Sequence, residues 1–495
     1  MAIVRVLLAA VAGICTYESF TPNFWFLAIL GIAVFVWSLH DGSPKARIFS
    51  ALVFATCLYG PLVNWLTVVS VPASVMLVAL CVFPWFLIAF YRPHSSHVIS
   101  GVRLAACVAV IEAIHSEIPW GGFPWGLLAY SQLDGPLMPS ARVGGEVVTT
   151  LLVVLVGYAC FAALIAREFR LLMFCVVCIV VSSVTMRNQM SGGDVRVAVI
   201  QGNVPREGLS DSEQAARVFE NHIAQTHRLA QDVRNGKVAR PELVVWPENA
   251  ADGDPVNNRS MFNQVQKVVD EINVPVLVGA AVWDGEVGPY NAGIMWLPHD
   301  GPNQRYEKNQ LVPFGEYIPQ RKFLEKYAAN LGIAPNDFVS GSRSGVMTQG
   351  VLTFADVICF EVAYDQHIRG GVLGGAQFFT VQSNNATYAF SEQPMQQLQI
   401  TRFRAIEHGR AFAVATTTGF SALIDSHGTL RAVSKEMRAE TLIGNLDQQV
   451  IRQPVDRWGS GPWLLLSVAV LLTSWRRETL WKSQRSRNGR FGRVK

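Results

Sequence analysis

DVICFEVAY (356–364) places a cysteine within what reads as a buried strand, and a carboxylate, Glu361, two residues later. The chain has eight cysteines. Seven of them (Cys15, Cys57, Cys81, Cys107, Cys160, Cys175 and Cys178) fall inside long apolar runs, and only Cys359 does not. Cys175 and Cys178 have CxxC spacing, but within an apolar run packing is their ordinary reading. The lone thiol of the polar region is either an inert core residue or one kept for reaction.

The surroundings of this stretch are uneven in composition. Of 495 residues, 50% are hydrophobic and 16% charged, an apolar excess over an ordinary soluble protein. Residues 1–190 and 458–475 are mostly apolar, whereas 191–457 has the mixed composition of a water-soluble α/β domain. The formal net charge is +4. The tail 476–495 carries Arg476, Arg477, Lys482, Arg485, Arg487, Arg490, Arg493 and Lys495 against Glu478 alone, so the remainder is slightly acidic. A basic tail directly after an apolar run marks the cytoplasmic side of a membrane span rather than a nucleic-acid site.

A helix needs roughly 20 apolar residues to cross a bilayer. Candidates lie near 3–17, 22–39, 48–69, 72–91, 98–116, 144–166, 170–187 and 458–475, about eight spans. Lys45 and Arg47, Arg92 and Arg103, and Arg167 and Arg170 follow the second, fourth and sixth; the intervening connections hold almost no basic residue, Arg142 excepted. The positive-inside rule makes these connections and both termini cytoplasmic, and leaves 191–457 outside. The first run is short enough for a signal peptide, but removing it would break that parity, so its retention is expected. An extracytoplasmic domain of this size can bury a core without disulfides.

Within 191–457, VRVAVIQGNV (195–204), ELVVWPEN (242–249) and VPVLVGAAV (274–282) read as strands separated by helices over 210–233 and 261–272. Strand-rich segments follow: NAGIMWL (291–297), VLTFADVICF (351–360), QFFTVQSNN (377–385) and FAVATTTGFSALID (412–425). The order predicts a layered α/β domain with a mixed sheet. Glu248 ends one strand, Lys308 lies in RYEKNQLVPFGEYIP (305–319) with Glu316, and Cys359 ends another. Alone, Glu248 and Lys308 read as surface residues. Together the three supply a base, a cation and a nucleophile, the set that covalent acyl transfer requires. No histidine lies in these segments, His222 and His227 are five apart, and the domain has no HExxH or CxxC, so no metal is expected.

WPEN, then RYEKNQLVPFGEY, then ICFE resembles the nitrilase superfamily, and with its apolar half the whole chain resembles the apolipoprotein N-acyltransferase family. SNN (383–385), GGFPWG (121–126) and YSQ (130–132) also match elements of that family. The resemblance implies an α-helical membrane domain of about eight spans (1–190 and 458–475) and an extracytoplasmic αββα domain (191–457), in a multi-pass protein of the cell membrane. It implies that Glu248 takes the proton of Cys359, and that Lys308 and the Phe360 backbone N–H hold the oxyanion. Glu316 and Glu361 support them. The donor would be a membrane phospholipid and the acceptor the N-terminal amine of a diacylated lipoprotein, with no cofactor, no nucleic acid and a monomeric enzyme. Phe123, Trp125, Asn384, Phe323 and Tyr327 would contact substrate, the last two on a flap over 313–333.

The pattern departs from the family in two places. Phe360 stands where a tyrosine often follows the nucleophile, and ATYAF (386–390) replaces a stretch in which a tryptophan is usual. Two other readings use the same residues: a membrane-tethered amidase or nitrilase-like hydrolase that passes the acyl group to water, and an inactive lipid-binding scaffold.

Overall fold

In the computed structural model, residues 2–185, 191–204, 210–285, 288–328 and 337–474 are described. They divide into two compact units, Met1–Asn64 with Pro72–Arg187 and Arg457–Lys495, and Trp65–Val71 with Asn188–Asp456. The basic tail 476–495 lies outside the described residues.

Among the described residues, each candidate apolar run contains a helix. The helices of the first unit are α1 (Ala2–Tyr17), α2 (Trp25–Leu39), α3 (Pro44–Leu62), α4 (Val71–Val82), α5 (His97–Glu117), α6 (Ala141–Phe161) and α7 (Arg170–Thr185), with a further helix Gly461–Ser474. Val71–Phe90, His97–Glu117 and Met138–Ala166 are long and apolar enough to cross a membrane, while Ala2–Tyr17, Trp25–Leu39, Arg170–Val181 and Gly461–Ser474 are shorter apolar helices. Helix α3 starts where its sequence says it should: Ser43 accepts a hydrogen bond from Ala46 N at 3.3 Å, and Pro44 occupies the first turn. Buried Glu112 on α5 accepts from Thr150 Oγ1 on α6 at 2.6 Å and from Leu128 N at 2.8 Å, tying the connection after α5 to both helices.

The second unit is a layered α/β fold with two six-stranded sheets. One has the order β12-β1-β2-β3-β4-β5 and the other β11-β10-β9-β8-β7-β6. In the first, β1 (Ser191–Gln201), β2 (Leu243–Val245) and β3 (Val276–Trp283) are parallel, and β4 (Pro289–Leu297), β5 (Gly301–Glu307) and β12 (Glu440–Gln449) extend it antiparallel. In the second, β7 (Leu352–Ile358), β8 (Phe378–Ser383) and β9 (Ala411–Thr416) are parallel, flanked by β6 (Val346–Gln349), β10 (Ala422–Ile424) and β11 (Leu430–Val433). Apolar residues of both sheets, among them Val197, Leu277, Met295, Phe354, Phe378 and Ala413, form one core between them. Helices α8 (Asp211–Arg234) and α9 (Arg259–Ile272) bury Phe219, Leu229, Val265 and Val269 against the outer face of the first sheet. Helices α11 (Asp365–Leu373) and α12 (Gln393–His408) pack on the second. The layers are therefore helix, sheet, sheet, helix.

Two strand expectations change. The stretch 351–360 is not strand throughout: β7 stops at Ile358, and Cys359 opens a 3-10 turn, Cys359–Ala363, with φ +56°. The stretch 412–425 is two antiparallel strands, broken where Thr416 and Ser421 turn their hydroxyls onto Gln201 Oε1 at 3.1 and 2.6 Å.

Strand β3 must come close to the end of β2, and Gly279 makes this possible. A Cβ there would lie 2.1 Å from Pro247 O and 2.9 Å from the Glu248 Cα, both backbone atoms that cannot swing aside. Gly279→Ala should therefore cost about 1–3 kcal/mol through overpacking and lower the melting temperature of the purified protein. Gly370→Ala, within α11 where a Cβ meets nothing within 4 Å, should leave it level or raise it. Equal melting temperatures for the two variants would contradict this packing.

Candidate active site

Three segments converge where β2, β5 and β7 end. Glu248 follows β2 and is buried. Its Oε1 accepts from Lys308 Nζ at 3.1 Å and from Asn291 Nδ2 at 2.7 Å, and its Oε2 from Asn384 N at 2.8 Å. Lys308 follows β5, and its backbone N–H bonds to Asn291 O at 2.8 Å, continuing the pairing of β5 with β4. Its ammonium is 1% exposed and also donates to Glu316 Oε1 at 3.0 Å. Burial drives this amine toward neutrality, but the carboxylates of Glu248 and Glu316, with Cys359 and Glu361 beyond, outweigh it and hold its pKa well above the usual lysine value.

Glu316 is fixed by its own loop: Oε2 accepts from Val312 N at 2.8 Å, while Oε1 shares Asn291 Nδ2 at 2.8 Å. Glu361 is no strand-edge ion pair. It is wholly buried and accepts from Ile358 N at 2.8 Å, Tyr306 Oη at 2.8 Å, Asn309 N at 2.8 Å and Gln310 N at 3.0 Å. Its carboxylate thereby joins the turn that carries Cys359 to the loop that carries Lys308.

Cys359 is half-buried, with its backbone in the left-handed region that disfavours side chains. Burial pushes the thiol up to about 12; the charge of Glu248 adds to this, Lys308 opposes it, and a hydrogen bond from the protonated thiol to Glu248 raises it further. A free thiolate is thus scarce near neutrality, and any reaction of this sulfur as a nucleophile needs a base. Phe360 sets its ring edge-on to Tyr364, at 5.3 Å between centroids.

The residues expected to touch substrate fare differently. Asn384 serves Glu248 through its backbone N–H, while its side-chain oxygen accepts from Thr417 Oγ1 at 2.8 Å and Ala386 N at 3.2 Å. Phe323 lies on α10 (Arg321–Ala328) and is 78% exposed; the side chain of Tyr327 and the flap residues 329–333 lie outside the described residues. Phe123 and Trp125 belong to the first unit, where their rings stack at 5.9 Å.

Sequence reasoning missed Asn291, Tyr306 and Tyr388. The signal for Asn291 was a polar residue heading an otherwise apolar strand. Tyr388, from the departing stretch 386–390, lies near enough for Cys359 to act on it electrically: burial first and then Cys359 raise its hydroxyl to about 12. Its ring meets Trp65 edge-on at 5.1 Å, and Trp65 Nε1 donates to Gln396 Oε1 at 3.1 Å. His222 and His227 lie apart from these groups: His222 accepts from Gly202 N at 3.2 Å, and His227 meets Glu271 at 2.6 Å. Asp365, Glu407 and His408 are close enough to hold a metal ion, but Arg404 reaches Glu407 at 2.5 Å and His408 reaches Asp456 at 2.6 Å, making them an ion-paired cluster.

Alkylation of Cys359 by iodoacetamide tests the thiol's environment. A pKa near 12, against 9 for an ordinary cysteine, leaves on the order of a thousandfold less thiolate at neutral pH. Cys359 labelling, followed by mass spectrometry, should keep rising between about pH 9 and pH 12, where an ordinary thiol levels off. A plateau near pH 9 would place the thiol in a far wetter site.

Comparison with known proteins adds a second line. Residues 12–159 match the apolipoprotein N-acyltransferase N-terminal domain, and residues 196–454 match the carbon-nitrogen hydrolase family. An apolipoprotein N-acyltransferase of Mycolicibacterium smegmatis is 32% identical, over 93% of this chain and 83% of that relative. Those of Shewanella oneidensis and Pseudomonas putida are 25% and 28% identical; they cover 94% and 95% of this chain, and 95% of each relative is matched. With family models matching both its apolar and its polar parts, and a relative this similar along nearly its whole length, the chain belongs to the apolipoprotein N-acyltransferase family.

Proposed function

We propose that this chain transfers an acyl chain from a membrane phospholipid, through a thioester on Cys359, to the N-terminal amine of a lipoprotein's diacylglyceryl-cysteine. The observation that carries this reading is the buried Lys308–Glu248 pair at 3.1 Å, with the half-buried Cys359 thiol hydrogen-bonded to Glu248 and within the field of both charges. Glu248 takes the thiol proton as sulfur attacks the acyl ester carbonyl. Lys308 Nζ and the Phe360 N–H stabilise the oxyanion, each such donor being worth about 3–4 kcal/mol. The tetrahedral adduct collapses, the lysophospholipid oxygen leaves with the proton from Glu248, and the acyl group stays on sulfur. The lipoprotein amine then attacks the thioester, loses a proton to Glu248 and becomes an amide, and the thiolate leaves and is reprotonated.

Glu316 and Asn291 hold Lys308 and Glu248 in register, and Glu361 holds the turn of Cys359. The helical unit serves a lipid that leaves the bilayer reluctantly, since each buried CH₂ contributes ~0.8 kcal/mol. In this reading the eight apolar helices span the membrane, both termini are cytoplasmic and the α/β unit works at the outer leaflet. Phe323 and Tyr327 cover the acyl chain, and Phe123 and Trp125 line its approach.

The full-length protein would be given phospholipid with a labelled acyl chain, then a diacylated lipopeptide. Label should appear on Cys359 and pass to the peptide's amine. Free labelled fatty acid alone would favour a hydrolase, and a folded protein that takes no label would favour a scaffold. Cys359→Ser should form no thioester. Glu248→Gln should slow acylation by about 10²–10⁴-fold, and Lys308→Met by about 10²–10³-fold. Reporter fusions test the topology: a periplasmic-type signal after residue 300 and a cytoplasmic one after residue 475 are expected, and the reverse would overturn the orientation.

A further inference from the structure

Asp356 lies three residues before the nucleophile, on β7, and is 1% exposed. One carboxyl oxygen, Oδ1, accepts from Thr380 Oγ1 at 2.7 Å on the neighbouring strand β8. The other, Oδ2, is buried with no hydrogen-bond partner among the described residues, and so is Gln382 Oε1. These two orphans share one place. A Cβ built on Gly293, in β4 of the facing sheet, would lie 2.2 Å from Asp356 Oδ2 and 2.4 Å from Gln382 Oε1. Only a residue without a side chain leaves room for both.

Two unpartnered acceptors crowded around one point of a dry core repel unless a donor lies between them, and a protonated carboxyl is such a donor. The Gln382 amide cannot resolve this by rotating. Its Nε2 donates to Trp246 O at 2.6 Å, and exchanging O for N would set two oxygens against each other there instead. Among the described residues, no cation is hydrogen-bonded or ion-paired to the carboxyl. The charges acting on it most are Glu361, on the turn after β7, and Glu248, at the end of β2, both negative. Lys308 is engaged by Glu248 and Glu316, and Tyr306 donates to Glu361. Burial foremost, with those two carboxylates, raises the carboxyl's pKa well above its ordinary value.

We propose that Asp356 is a neutral carboxylic acid that positions the catalytic base: its O–H donates to Gln382, whose amide holds the Trp246 carbonyl two residues before Glu248. The link runs from the nucleophile's strand to the base's strand across the two sheets, and it adds no further negative charge beside the thiol. It rests on the acyl-transfer reading above for its purpose, but the protonation itself is independent of substrate.

Asp356→Asn offers an N–H to Gln382 and an oxygen to Thr380, so it copies the protonated acid; Asp356→Leu offers neither. In full-length protein without substrate, infrared difference spectra between wild type and Asp356→Asn at about pH 8 should show the C=O stretch of a protonated carboxylic acid. The pH profile of Cys359 alkylation should be unchanged in Asp356→Asn and displaced in Asp356→Leu. Transfer of labelled acyl chain should fall by roughly tenfold or more in Asp356→Leu, chiefly in kcat, and by no more than about threefold in Asp356→Asn. Absence of the acid band, or an Asp356→Asn variant as impaired in alkylation and transfer as Asp356→Leu, would overturn the proposal. If Asp356→Leu does not fold, the band and the Asp356→Asn profile still decide it. A band and alkylation profile as expected, in protein that transfers no acyl chain, would sink the substrate reading and leave Asp356 as described.

Discussion

Four donors from two separate segments converge on the carboxylate of Glu361, and the geometry of the cleft hangs on that junction. Ile358 N comes from the end of β7, and Tyr306 Oη, Asn309 N and Gln310 N from the end of β5 and the loop beyond it. A buried carboxylate is costly unless donors meet it, and here three reach Oε1 and one reaches Oε2. Removing it would strand the same number of donors in a dry interior, at about 1–3 kcal/mol each. Cys359 and Lys308 lie immediately beside these anchor points, so their separation is set by a hydrogen-bonded joint rather than by the packing of long side chains.

The same economy holds around Glu248. Asn291 bridges it to Glu316, Asn384 N fixes its second oxygen, and Gly279 allows β3 to lie against the strand end that carries it. Each residue that touches the ammonium or the thiol is held by a second that does not. In the proposed reaction, preorganisation of this kind would let charge developing on a bound carbonyl meet donors already in place.

Much of this was legible in the chain itself. The alternation of strands and helices over 195–282 reflects local periodicity, and the apolar runs of the other unit appear as helices. Glu248, Lys308 and Cys359 stood out only in combination, as a base, a cation and the lone thiol of the polar domain. Other features were not legible, for physical reasons. The turn at Cys359 depends on Glu361 accepting from Ile358 N three residues back, with that carboxylate held by Tyr306, Asn309 and Gln310 from a distant segment, in a sequence that otherwise favours strand. Strand β12 pairs with β1 from about 250 residues away, as the register Val195↔Leu446 shows, and no local pattern announces such a partner. Helix α12 buries Gln393, Gln396, Gln397, Arg404 and Glu407, so its inner face carries polar residues where periodicity looks for apolar ones. Asn291 and Gln382 are likewise polar residues inside strands, and their use appears only when the partner strand is in place.

The charge state of Lys308 has a further consequence. A neutral primary amine beside a thioester is an aminolysis reagent, and in the proposed reaction it would compete with the lipoprotein for the acyl chain. The resulting amide on lysine would be permanent, and the enzyme would be spent after one turnover. Glu248 and Glu316 keep the nitrogen's lone pair protonated, with its pKa well above that of a free lysine. In the proposed reaction the carboxylates that hold Lys308 as an oxyanion donor would therefore also protect the enzyme from acylating itself, leaving only an amine delivered from outside the cleft to accept the chain.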